Sequence, residues 1–287
     1  QKKFLKEGTF HGVDLLSEVI RLCAMNMYLH GIGSEESQVR QDDSLIADPG
    51  DRFDIIMTNP PFGVKSTVKI FSEAGKVEKD KISYERDDFW TTSSNKQLNF
   101  VQHVKTILKV NGKCAIVVPD NVLFEGGDGE IVRKKLLEQV DLHTMLRLPT
   151  GIFYAGGVKA NVLFFDKKPA REDDKPWTEK VWIYDLRTNK HFTQKEKKMT
   201  RADLDDFVAC YNAKNIQERK KTERFKSFSY NEIIKRDKTS LDIFWLKDES
   251  LIDLENLPEP HVIADEIADN LESALDSLNE LRENLKS

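Results

Sequence analysis

The run Cys114-Ala115-Ile116-Val117-Val118 is apolar at five consecutive positions, and no other stretch constrains the fold as tightly. A strand without polar alternation has to be covered on both faces, which calls for helices on either side of a sheet. The flanking sequence supplies them. Leu98, Val101, Val104, Ile107 and Leu108 recur at helical spacing before the run, and Ile131 to Gln139 reads as a helix after it. Phe10 to Asp14, Gln38 to Gln41 and Phe53 to Met57 read as strands, and Leu16 to Leu29 as a helix ended by Gly31 and Gly33. Leu142 to Leu148 and Ala160 to Phe165 read as the closing hairpin of a mixed sheet, and Asn111-Gly112 as a turn into the apolar strand. Strands alternating with helices in this way predict an α/β fold.

The pattern divides into three regions: 1–168 as the main α/β domain, 169–260 as its extension, and 261–287 as a terminal amphipathic helix. Lys167 to Lys175 has a linker composition. Beyond it, Val181-Trp182-Ile183-Tyr184 reads as an edge strand, and Arg201 to Tyr211 and Tyr230 to Ile234 as helices. Ile263, Ile267, Leu271, Leu275, Leu278, Leu281 and Leu285 then mark one face of the last helix. Gly63 to Asn95 is long, polar and aperiodic, which makes it a candidate substrate loop.

A formal net charge of −5 and a pI near 5.8 exclude a uniformly basic nucleic-acid binder, because phosphate contacts need clustered Lys and Arg. They leave room for a protein that confines its positive charge to one groove. Cys23, Cys114 and Cys210 show no metal-ligand or CxxC spacing and read as reduced core residues. No apolar run reaches about 18 residues and no signal peptide precedes the first strand, so the expectation is a cytoplasmic chain with no membrane contact. Gln1 opens in the middle of a charged segment, which reads as a piece of a longer protein.

The chemistry points to Asn59-Pro60-Pro61-Phe62, directly after the strand at Phe53 to Met57. Ligands of open α/β sheets bind beyond the carboxyl ends of strands. Methylating an exocyclic amine of a base requires extracting the base and holding it. A side-chain amide oxygen and a backbone carbonyl accept the two amine hydrogens, while an aromatic ring stacks on the base, a contact that contributes about 1–3 kcal/mol. Asn59, the Pro60 carbonyl and Phe62 offer these groups in four residues, and the two prolines fix the backbone direction. Pro61 is the rigid member. A plain strand terminator with Phe62 capping the core is the competing reading.

With these residues in view, the chain resembles the adenine-N6 DNA methylase family and, within it, the modification subunit of type I restriction-modification systems. Phe53 to Gly63 is similar to the family signature. Asn95 to Phe100, Gly112 to Phe124, Leu148 to Phe153 and Lys159 to Phe165 are similar to later motifs in the same order, so that Phe10 to Ile243 is matched. The resemblance implies a Rossmann-like S-adenosylmethionine-dependent methyltransferase sheet with a C-terminal helical extension. It implies S-adenosylmethionine as cofactor, Asp14 on the ribose hydroxyls and Asp43 on the adenine amine. Many relatives carry Glu where Asp14 stands. The glycine-rich motif on the family's first strand is expected some tens of residues before Phe10 and is absent from 1–9, so the sheet is expected to lack that strand and the cofactor pocket to be incomplete. Implied partners are duplex DNA with a flipped adenine, a specificity subunit docking on the C-terminal helices, and a restriction subunit.

Other residues carry weaker signals. His30, His103 and His143 lack partners at ligand spacing and read as satisfied surface or core histidines, so no metal is expected. Lys65, Lys69 and Lys76 divide evenly between phosphate contacts and a solvated loop. Arg219 to Arg224, followed by Phe225 and Phe228, divides between a DNA approach and an amphipathic packing segment. Three functional readings stay open. They are adenine-N6 methylation, methylation of another planar amine such as cytosine N4 or a protein glutamine, and a non-catalytic scaffold that docks a specificity subunit and DNA.

Overall fold

The computed structural model describes residues 2–33, 38–62, 67–71, 77–81, 83–153, 158–173, 175–190, 192–193 and 197–248. One compact unit runs from Gln1 to Phe244 and a second from Trp245 to Ser287. The leucine stripe of 263–285 lies outside the described residues, as do Lys65, Lys76 and the side chain of Lys69.

In chain order the first unit contains α1 (Lys2–Glu7), β1 (Gly12–Asp14), α2 (Ser17–Leu29), β2 (Val39–Gln41) and β3 (Phe53–Thr58). A short antiparallel hairpin, β4 (Thr67–Phe71) and β5 (Val77–Lys81), occupies part of the stretch read as an aperiodic loop. There follow α3 (Lys96–Ile107), β6 (Leu108–Pro119), α4 (Asn121–Phe124), α5 (Asp128–Gln139), β7 (Val140–Arg147) and β8 (Ala160–Lys167). The chain continues through β9 (Lys180–Asp185), α6 (Asp205–Tyr211), β10 (Phe225–Ser229) and α7 (Tyr230–Ile234).

The main sheet has six strands in the order β10-β9-β7-β8-β6-β3. Strands β3, β6, β7 and β9 share one direction, while β8 and β10 oppose it. The mixed α/β architecture expected from the sequence is therefore present, with the apolar strand β6 inside the sheet. The expected hairpin pairs β7 with β8, and β8 inserts between β7 and β6.

Two local readings change. Asn111-Gly112 is not a turn: β6 runs through it from Leu108, and the register with β3 shifts from Phe53↔Leu108 to Ile55↔Lys113. The extra residues of β6 form a bulge, with Asn111 at φ 65°. A Cβ on Gly112 would lie 2.8 Å from the Lys109 carbonyl oxygen, so only glycine fits this bend. The second change concerns β9, which is interior, between β10 and β7. Val181, Trp182, Ile183 and Tyr184 are all buried, and a run apolar on both faces belongs inside a sheet. The outer strand is β10, whose Phe225 stacks on Trp182 at 4.7 Å.

Helix α3 starts where Asn95 accepts hydrogen bonds from the Gln97 and Leu98 amides. It buries Leu98, Val101 and Val104, each such side chain contributing about 1.5–3 kcal/mol. Arg133 on α5 is also buried. It donates to the carbonyls of Val122, Glu125, Lys238 and Thr239, joining the turn after α4 to the segment 238–239.

The first strands differ from the rest. β1 and β2 form a separate parallel pair, and among the described residues β1 and β3 each keep one unpaired edge. Met57 is 80 % exposed, and α2 buries none of its residues.

Candidate active site

Asn59, Pro60, Pro61 and Phe62 leave the carboxyl end of β3, which runs beside the end of β6 through the pair Thr58↔Ile116. Pro60 is buried, Asn59 and Pro61 are exposed, and Phe62 is half-buried. The Asn59 amide takes no hydrogen bond among the described residues, and its oxygen is an acceptor. Phe62 is held from outside the tetrapeptide: its ring meets Phe153 edge-on, with centroids 5.3 Å apart and planes at 86°. Such a pair contributes about 0.5–1.5 kcal/mol beyond area burial. Phe153, Ile152 and Val158 pack with Phe62 on a core formed by Leu146, Leu148, Ala160, Trp182 and Tyr184.

The loop that carries Phe153 is pinned by charge. Asp120, just past β6, receives the Arg187 guanidinium on both oxygens at 2.7 and 2.9 Å and the Asn161 amide at 2.8 Å. Arg187 also donates to the Leu148 and Ala160 carbonyls at the two roots of the loop. Burial alone would raise the Asp120 pKa, but the Arg187 hydrogen bonds and charge outweigh it and hold the carboxyl below its usual range. Asn95 and Asn121 meet at the same end, both donating to Glu125. The separate motifs read along the sequence thus converge around the ends of β3 and β6.

Asp14 and Asp43 lie at the carboxyl ends of the other strand pair. Asp14 ends β1, where one of its oxygens accepts the Leu16 amide at 2.8 Å. Asp43 follows β2 and accepts the Leu45 amide at 2.9 Å and the Tyr84 hydroxyl at 3.3 Å. Each carboxylate keeps acceptor capacity, which suits a ribose diol and an exocyclic amine. These acceptors fit the ends of S-adenosylmethionine that they were expected to hold. Among the described residues no strand pairs with the other edge of β1 or of β3, although the His11 and Phe53 rings at the starts of these strands lie 5.5 Å apart.

Phe153 and Arg187 were assigned no role from sequence, because nothing in their immediate neighbours marks a partner so far along the chain. Of the weaker candidates, the two arginines of the 219–224 stretch pack inward. Arg219 donates to the Tyr211 and His143 carbonyls and to the Thr144 hydroxyl, and Arg224 to the Asp185 and Thr188 carbonyls, so both guanidinium groups are turned inward. His103 is buried against Arg86, His143 is buried against Thr144 and Asp166, and His30 is exposed after α2.

Comparison with known proteins gives consistent results. A family model described as N-6 DNA Methylase matches residues 1–243. The methylase subunit of the type I restriction enzyme StySPI from Salmonella potsdam is 38% identical over 98% of the chain and 57% of its own length. The EcoKI methylase subunit from Escherichia coli strain K12 is 38% identical over 96% of the chain and 56% of its own length. The chain thus spans about half the length of these curated relatives. The crystal structure of the EcoKI M protein superposes with a TM-score of 0.72 at 35% identity, covering 100% of this chain and 62% of that one.

Proposed function

The chain belongs to the N-6 DNA methylase family, and from that premise we propose that it forms the target-base part of an adenine-N6 DNA methyltransferase, within the modification subunit of a type I restriction enzyme. Its fold is the Rossmann-like α/β sheet of S-adenosylmethionine-dependent methyltransferases. The observation that carries the reading is the exposed Asn59 amide at the end of β3, with no hydrogen bond among the described residues, near a Phe62 ring held by Phe153.

An adenine extruded from duplex DNA stacks on Phe62. The Asn59 oxygen and the Pro60 carbonyl accept its two N6 hydrogens. Those bonds favour a pyramidal nitrogen with a localised lone pair, which is otherwise spread into the ring. S-adenosylmethionine, when bound, supplies an electrophilic methyl group, with Asp14 seating its ribose and Asp43 its adenine. Asn59 and Pro60 would thus present the localised N6 lone pair to that methyl group, and the proton that N6 gives up on methylation would leave to solvent. Pro61 keeps the acceptors in place by fixing φ. DNA, a specificity subunit and a restriction subunit are the partners this reading assigns to the complete enzyme.

The test uses the complete methyltransferase. Asn59→Ala is expected to lower methyl transfer to adenine at least about 100-fold, the scale of losing one oriented polar group in the transition state. Cofactor affinity is expected to stay within about twofold. Transfer at the unsubstituted rate would refute the role of Asn59, and product analysis showing methylcytosine or methylglutamine would refute adenine as acceptor.

A further inference from the structure

A cavity lies at the end of the sheet opposite the target-base loop. It has a volume of about 610 Å³ and opens beside the last turns of α3 and α5 and the end of β8. The eight residues of β8 separate it from the Ala160 end that borders the target-base loop, roughly 23 Å at about 3.3 Å per residue.

Its walls are basic, and pairing disposes of part of that charge. Lys135 holds Glu138 at 2.9 Å, and Arg171 holds Asp173 at 2.6 Å while lying over the Trp177 ring. Lys168 lies 3.8 Å from Asp141 and 3.9 Å from Asp166. Lys105 and Lys167 make no ion pair with the lining carboxylates Glu138 and Asp173, while the exposed Lys175 acts on Asp173, whose carboxylate Arg171 already holds. Lys105 is placed over the Trp90 ring at 4.9 Å, and Trp90 in turn donates to Gln139 at 2.9 Å. Lys167 donates to the Thr106 carbonyl at 3.1 Å. Asp88, the carboxylate that acts on Lys105, is committed to Arg86 and Thr106. The C-terminal ends of α3 and α5 each present about half a negative charge, which offsets about one of the three lysines. About two positive charges face the cavity unbalanced.

Burial lowers the pKa of both Lys105 and Lys167, and the charge on Lys105 lowers that of Lys167 further. Two half-buried ammonium groups that repel each other are stabilised by an anion in the space they line. The volume matches a small-molecule site rather than a nucleic-acid groove. The ligating set is lysine, which meets phosphate as a point charge, whereas the arginine that could grip a planar carboxylate is already spent on Asp173 and Trp177. We propose that this cavity binds a small oligophosphate anion through Lys105, Lys167 and Lys175, at a site remote from the target base.

Calorimetric titration of the full chain with inorganic tripolyphosphate tests this. One saturable site is expected, with affinity falling at least about tenfold in Lys105→Gln/Lys167→Gln and staying within about threefold in Lys105→Arg/Lys167→Arg, which keeps the charge. The exposed control Lys214→Gln is expected to bind normally. Adenosine triphosphate binding more tightly than tripolyphosphate would identify a nucleotide as the source of the phosphates, and equal affinity an inorganic oligophosphate. Absence of saturable binding, binding indifferent to the Gln substitutions, or complete displacement by a short DNA duplex at equal phosphate concentration would overturn the proposal.

Discussion

His103 is 6 % exposed, and its Nδ1 lies 3.2 Å from Arg86 Nη1. A guanidinium can only donate, so that ring nitrogen accepts and the imidazole is neutral. Burial, with the Arg86 charge next, pushes the His103 pKa down to about 4 from 6.5. The unfolded chain therefore takes up this proton near pH 6.5, while the folded chain resists until about pH 4. The stability tied to the neutral ring is complete above pH 6.5 and drains away as pH falls toward 4, by about 2–3 kcal/mol. Urea unfolding at about pH 7.5 and about pH 4.5 is expected to show a loss larger by that amount in the unsubstituted chain than in His103→Gln. Equal losses would count against a buried neutral ring. The sequence marked His103 as a satisfied histidine by its place on a helical apolar pattern, but its partner Arg86 came from the long polar stretch whose structure was not readable. Asn59 was legible for the opposite reason: its acceptor, its carbonyl neighbour and its aromatic are consecutive, so no tertiary contact had to be guessed.

Gly151 stands at φ +80° in the loop between β7 and β8, and a Cβ there would run into the Phe192 carbonyl. Both the left-handed backbone and the close approach exclude a side chain. Since Phe153 lies two residues on, a shift of this loop moves the ring that fixes Phe62. Gly151→Ala is expected to destabilise the chain by about 1–3 kcal/mol, the cost of strain at such a position. In the complete enzyme it should reduce methyl transfer more than cofactor affinity, and an unchanged thermal midpoint together with an unchanged rate would dismiss the constraint. Other elements show where periodicity succeeds and fails. Cys114 to Val118 in β6 and Val181 to Tyr184 in β9 are both uninterrupted apolar runs, yet β9 was read as an edge strand in a region of dense charge. The burial of Val181 to Tyr184 shows that the run itself was the better guide. β10 was missed because Phe225 and Phe228 do not alternate as a strand does, and because Arg219 and Arg224 beside them look like a basic surface until their carbonyl partners are seen.

Within the unit that ends at Phe244, packing is uneven. The six-stranded sheet buries Ile116, Val118, Met145, Leu163 and Ile183 almost completely, whereas α2 buries none of its 13 residues and exposes Leu22, Met25, Tyr28 and Leu29. An isolated helix of about that length is marginal in water, because most helical stability comes from an apolar face packed on something else. The carboxylates Asp14 and Asp43 sit on β1 and just beyond β2, in this thinly packed part, while Asn59 and Phe62 follow β3, which is itself half exposed but pairs along one edge with the well-packed β6. The two halves of the proposed site therefore differ in local stability as well as in chemistry. Native-state hydrogen exchange of this chain is expected to show amides of α2, β1 and β2 exchanging at least about 100-fold faster than those of β6, β7 and β8. A factor of that size corresponds to about 2.7 kcal/mol of opening free energy. In the complete methyltransferase, saturating S-adenosylmethionine is expected to slow exchange in β1 and β2 first, because there the carboxylates proposed to hold it lie on a weakly held element. Uniform protection across both regions in its absence would show that the exposed apolar face of α2 carries no energetic penalty.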